Sequence, residues 1–161
     1  MKPHRLRSTL LLSLLFLGAA DPRPALIELQ LDARFEESLD QTRLALAEDP
    51  EKARTQGLRY LEGHLLDRLG ESDESPAVFT RVLTSTPLLA SHARYRLALN
   101  RLAHGDPVAA AGLLANLLVN DPPDSLLPEA VRWLTLAIQE GGDCALLAGR
   151  EGWPLDASAT R

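Results

Sequence analysis

The side chains of this 161-residue sequence that could carry covalent or metal chemistry are few and scattered. Its histidines, His4, His64, His92 and His104, never take the i, i+4 spacing by which one helix face offers a pair to a metal. They read as isolated surface or groove residues. Cys144 is the single cysteine, which excludes an internal disulfide and a cysteine-based zinc site. Its neighbours Ala145, Leu146 and Leu147 predict a buried thiol, with an intermolecular disulfide as the alternative. The acidic run Glu71-Ser72-Asp73-Glu74 has no loop glycine or second acidic ring to make a calcium site, and suits the capping of a helix N-terminus better. No phosphate-binding Gly-rich loop, His-Glu-x-x-His pair, Gly-x-Ser-x-Gly elbow or Cys-x-x-Cys occurs. The chemistry predicted is therefore recognition without catalysis, cofactor or metal.

Composition narrows what positions these residues. Seventeen Lys+Arg against 22 Asp+Glu give a net charge of −5, the wrong sign for a partner made of phosphates. Nucleic acid is not an expected partner. A hydrophobic share of 45% excludes wholesale disorder, and the scarcity of aromatic residues beside abundant Leu, Ala and Arg favours helices over a β-sandwich.

The first twenty residues have the three-part layout of a secretory signal peptide: cations at Lys2, Arg5 and Arg7, an apolar block from Leu10 to Leu17, then small Gly18-Ala19-Ala20. The 13 residues from Ser8 to Ala20 reach about 20 Å as a helix, short of the ~30 Å hydrocarbon core. An uncleaved interfacial anchor is the alternative, and it is the only expected contact with a membrane. Cleavage removes three cations and no acid, leaving 14 against 22, or −8. The expected location is the periplasm or the exterior of a bacterium.

Residues 21–150 show an internal period. Ala33 precedes Pro50, Gly70 precedes Pro87 and Gly105 precedes Pro122, each by 17 residues. Five places after each turn comes a small residue (Ser38, Ser75, Ala110), then an apolar stripe in steps of three and four. The stripes are Leu39, Thr42, Ala45 and Leu46; Phe79, Val82 and Leu83; Leu114, Leu117 and Leu118. Before the turns, Leu58, Leu61, Leu65, Leu66 and Leu69 share one helical face, as do Ala93, Leu97, Ala98 and Leu102. Asp106-Pro107 reads as a cap followed by proline in the first turn, and Asp73 with Pro76 as the same device one unit earlier. Pro50, Pro87 and Pro122 are expected to stop helices. A further helix over 125–140 ends at Gly141-Gly142, after which 143–149 is a short helix at best. Trp153-Pro154-Leu155 looks like an apolar latch in the tail 151–161.

These units resemble the tetratricopeptide repeat family. Ala33-Arg34-Phe35-Glu36-Glu37-Ser38 is similar to the family's Gly-Arg-Tyr-Glu-Glu-Ala turn, and Glu48-Asp49-Pro50 and Asn120-Asp121-Pro122 to its Asp-Pro terminus. Gly63 and Ala98 stand at its small packing position, Phe79 and Leu114 at its large apolar one. Leu26, Arg101 and Thr42 depart from the pattern. The resemblance implies an all-α solenoid of about three helical hairpins with a degenerate fourth, capping unit; the alternative is a non-repetitive helical bundle. It also implies a concave groove lined by the first helix of each unit, here Tyr60, His64 and Asp67, then His92, Tyr95 and Leu99. The alternative for Tyr60 and Tyr95 is partial burial as helix-packing residues. The family's clamp for a peptide's terminal carboxylate uses Lys and Asn at these positions, which Tyr, His and Leu do not supply.

The function expected is a non-catalytic scaffold that holds a peptide or a partner's helix. The sequence also resembles the N-terminal superhelical arm of lytic transglycosylases, but shows no catalytic glutamate in a lysozyme-like Ser/Gly setting. The third expectation is a structural subunit of an envelope complex.

Overall fold

Helix-forming Leu and Ala recur at helical spacing, and proline and glycine break the chain at regular intervals. The computed structural model describes residues 21–120 and 122–147. The expected leader at 1–20, Asp121 and the tail with Trp153-Pro154-Leu155 lie outside the described residues. Among the described residues there is no strand. The helices are α1 (Arg23–Leu31), α2 (Phe35–Glu48), α3 (Pro50–Thr55), α4 (Leu58–Leu69), α5 (Ser75–Ser85), α6 (Ala90–Ala103), α7 (Pro107–Val119) and α8 (Leu127–Gln139). Short 3-10 turns occupy Pro87–Leu89 and Cys144–Leu147. The all-helical expectation holds, and helices pack chiefly on their neighbours in chain order.

One backbone device closes four of these helices. Ala33, Gly70, Gly105 and Gly141 take φ of 55°, 81°, 71° and 118°. Each donates its N–H to the carbonyl three residues back, and the residue after it donates to the carbonyl five back. The longer bonds run from Arg34 to Leu29 at 2.8 Å, Glu71 to Leu66 at 2.9 Å, Asp106 to Arg101 at 2.9 Å and Gly142 to Ala137 at 2.8 Å. This is the Schellman ending, which satisfies carbonyls that the helix leaves orphaned. The four turns stand 37, 35 and 36 residues apart. Gly142 carries a second constraint, since a Cβ there would meet the Ala137 carbonyl oxygen at 2.8 Å.

The core is strung along the chain rather than gathered at one centre. Leu26, Leu46, Ala53 and Leu58 pack together at one end. Leu39, Leu65, Leu66 and Val78 follow, then Phe79, Val82, Ala93 and Leu97. Ala98, Ala110, Ala111, Leu114, Leu117, Ala130, Leu134 and Ala137 form the last and largest group. Ser38, Ser75 and Ala110, the small residues five places after the turns, are all fully buried. Gly63 is small because Phe79 needs the space: a Cβ there would lie 2.8 Å from its ring. Thirty-five residues on, buried Ala98 and Leu114 repeat that small-and-large pair.

Several expectations need correction. Asp106 does cap α7, accepting the Ala109 N–H at 3.0 Å, and Asp49 caps α3 in the same way with the Lys52 N–H at 3.0 Å. Asp73 does not cap α5. The residue before that helix is Glu74, already in helical conformation and with no side-chain cap bond; Asp73 instead points outward, 3.8 Å from His104. The acidic run is thus not a cap; Glu74 pairs with Arg43 at 3.0 Å. Pro50 and Pro87 are starts as much as stops. Proline lacks only an N–H that a first turn leaves unpaired anyway, so Pro50 opens α3 and Pro87 opens a 3-10 turn. The helix expected over 125–140 begins at Leu127 and ends at Gln139. Cys144 is exposed, not buried, because its 3-10 turn packs Leu146 against the last core group instead.

Candidate binding surface

The six residues expected in a groove lie on two helices, Tyr60, His64 and Asp67 on α4 and His92, Tyr95 and Leu99 on α6. All six are half-buried. The Tyr60 and His92 rings meet edge to face, centroids 6.2 Å apart at 79°. One turn further along both helices, the Arg96 guanidinium acts on the His64 imidazole through space. The Tyr60–His92 contact links α4 to α6, and His64 and Arg96 each follow it by one turn on their own helices.

The two tyrosines also pack helices. Tyr60 lies 5.6 Å from Phe79, centroid to centroid, and covers the group formed by Phe79, Val82, Ala93 and Leu97. Tyr95 covers the last core group. The packing alternative for both therefore holds, without removing their half-exposed faces. Burial, and next the carboxylate of Glu129, raise the Tyr95 phenol above its ordinary range, so it stays protonated and able to donate.

The histidines carry unmet bonding capacity. The Nδ1 atoms of both His64 and His92 are buried with no hydrogen-bond partner. Burial lowers the His64 pKa, Arg96 lowers it further, Asp67 opposes and Arg68 adds a little. His104, by contrast, has its Nδ1 2.8 Å from the Asn100 carbonyl. Asn100 in turn donates to the Ser72 carbonyl at 2.9 Å, tying the end of α6 to the turn before α5.

Sequence reasoning missed Arg96. It is half-buried and has no ion pair among the described residues, as is also true of Arg94 on the same helix, whereas Arg23, Arg34, Arg43, Arg54, Arg59 and Arg132 are each paired with a carboxylate. The signal was available: Arg96 follows His92 by one helical turn and stands from His64 at the offset that separates His92 from Tyr60.

Also missed was an ionic brace. Buried Glu62 on α4 accepts from Arg43 of α2 at 3.3 Å on one oxygen and from Arg59 at 3.1 Å on the other. Arg43 reaches Glu74 as well, so the brace joins α2, α4 and the start of α5. With both oxygens engaged, Glu62 is a structural carboxylate and not a free acid or base. Among the described residues no three of His, Cys, Asp or Glu gather in a metal-ligand group, and no helix is long and apolar enough to cross a membrane.

No protein-family model, curated protein or solved structure matches the chain.

Proposed function

We propose that this chain is a binding scaffold of helical hairpins of the tetratricopeptide type, stacked as a solenoid, which holds a peptide or a partner's helix against the α4–α6 face. The observation that carries this is the contact between α4 and α6 in which the half-buried Tyr60 and His92 rings meet edge to face. Two supports accompany it: the Schellman turn that recurs every 35 to 37 residues, and core groups arranged in series. Stacked units that bury their faces only against neighbours leave a continuous side wall open to a ligand. Half-buried Tyr and His rings are suited to that wall, since they give contact area and hydrogen bonds for few rotors. The action is recognition by shape, without covalent chemistry. The signal-peptide-like composition of residues 1–20 supports a setting in the periplasm or outside the cell.

The test begins with a crosslinking pull-down by the mature chain to identify the partner, followed by Tyr60→Ala with Tyr95→Ala. If the tyrosines are anchors, the double variant binds that partner about 1–4 kcal/mol more weakly, with its helical circular dichroism retained. Unchanged affinity in a folded double variant overturns the assignment of this face.

A further inference from the structure

We infer that the exposed face of α7 is where two copies of this chain meet, as a twofold dimer held by Val108, Gly112, Asn116 and Val119. The starting point is a glycine that nothing inside the chain explains. Among the described glycines, Gly57, Gly70, Gly105 and Gly141 take positive φ, Gly63 makes room for the Phe79 ring, and Gly142 for the Ala137 carbonyl. Gly112 is different. It lies exposed in the interior of α7, and a Cβ there would meet nothing within 4 Å. Glycine is the poorest helix former after proline, so alanine at this place would serve the isolated chain better. A residue that costs its own helix and serves no neighbour within the chain suits the close approach of a backbone from outside.

The residues around it make a helix-sized patch. Val108, Gly112, Asn116 and Val119 follow one another by four, four and three places, so they share one side of α7. All four are exposed, the two valines at 58% and 56%. The other side of α7 is committed to the last core group through Ala110, Ala111, Leu114 and Leu117. Of the eight described α-helices, α7 alone holds no Asp, Glu, Lys or Arg.

Electrostatics select a second copy as the occupant. The chain carries a net charge of −5, so two copies repel over most of their surface and approach at least cost where neither presents a charge. The face is also complementary to itself. Valine packs on valine, glycine lets two helices come close, and an amide offers both donor and acceptor to its counterpart. Asn120 donates to the Asn116 carbonyl at 2.7 Å and to its Oδ1 at 3.1 Å, which orients the Asn116 side chain and leaves its own N–H groups uncommitted among the described residues. A patch that meets its own copy closes as a twofold pair and stops there. None of these residues belongs to the α4–α6 face, so the inference stands apart from the scaffold function.

The experiment is sedimentation equilibrium of the full chain up to about 0.1 mM, beside Gly112→Gln and Asn116→Asp. The parent is expected to sediment as a mixture of monomer and dimer. Gly112→Gln is expected to weaken the dimer about tenfold or more by holding the helices apart. Asn116→Asp is expected to weaken it as well, by setting like charges near each other, with a loss that shrinks as salt is added. Glutamine is a better helix residue than glycine and enters open space, while Asp keeps the acceptor that Asn120 uses. Thermal melts at a concentration where the parent is monomeric are therefore expected to place Gly112→Gln no lower than the parent. A lower melting temperature gives the glycine a role inside the chain and overturns the inference. A parent that stays monomeric, assemblies larger than a dimer, or a dimer that either variant keeps at the parent's affinity overturns it too.

Discussion

The hairpins that turn at Ala33 and at Gly105 share a backbone device and differ in what they bury. Both Ala33 and Gly105 close a helix with the same pair of Schellman bonds, and both are followed five places later by a fully buried small residue. Around α6, α7 and α8 every buried residue of the core group is Ala or Leu. Around α2 and α4 the buried set includes Ser38, Thr42 and Glu62. Thr42 solves its own problem by donating to the Ser38 carbonyl at 2.7 Å, and Glu62 is neutralised by two arginines. The Ser38 hydroxyl has no partner at all. Backbone geometry thus sets where a residue sits in each unit, while side-chain chemistry sets how much that place contributes to stability.

The largest expected consequence concerns the leucines of these two regions. Leu114 is fully enclosed within the last core group, so Leu114→Ala is expected to cost about 3–5 kcal/mol in urea unfolding. Leu46 sits at 9% exposure in a group of four, and Leu46→Ala is expected to cost about 2–3 kcal/mol by the same measurement. A larger loss at Leu46 than at Leu114 would invert the comparison and make the first hairpin the tighter one.

How far the sequence discloses this arrangement follows from the same contrast. Helical stripes were legible because burial selects one face at a fixed angular period; the predicted Leu58, Leu65 and Leu66 are buried on α4, as are Ala93, Leu97 and Ala98 on α6. Turn positions were legible because glycine and proline are read locally. What was not legible needs partners distant in sequence. The Arg43–Glu62 brace spans 19 residues and joins two helices, and no local pattern marks which of many charged residues will meet. Asp73 looked like a cap because the residue type fits, yet helical geometry had already begun at Glu74. Cys144 was misjudged because four apolar-looking residues fit one 3-10 turn, and such a turn sends only part of its side chains inward. At the candidate site the individual residues were visible, but the contact of Tyr60 with His92 across α4 and α6 was not.

An intermediate effect tests whether the polar positions of the first hairpin are compromises. Ser38, Ser75 and Ala110 occupy equivalent places, and the two serine hydroxyls are buried without a partner. A buried unsatisfied hydroxyl costs about 1–3 kcal/mol. Ser38→Ala is therefore expected to raise stability by about 1 kcal/mol, part of the relief being offset by lost packing of the oxygen. The reciprocal Ala110→Ser is expected to lower it by a similar amount. Thermal melts of both variants check this, and a destabilised Ser38→Ala would show that the hydroxyl has a partner in solution.

The smallest effect isolates the backbone from the side chains. Ala33 is the only residue other than glycine with positive φ among those described, and that conformation brings Cβ against the following carbonyl at about 1–2 kcal/mol. Ala33→Gly removes this strain but adds roughly 0.5–1 kcal/mol of chain entropy to the unfolded state. The net expectation is a gain of about 0.5–1 kcal/mol, read as a higher urea midpoint at unchanged slope. The reverse changes, Gly70→Ala and Gly105→Ala, provide the control. A Cβ at either site would meet nothing within 4 Å, so any loss there comes from φ alone. If the turns are one device used repeatedly, both reverse variants lose about what Ala33→Gly gains. If Ala33→Gly instead lowers the midpoint, the alanine methyl is making a contact that the other two turns do without, and the first turn is then not equivalent to its successors.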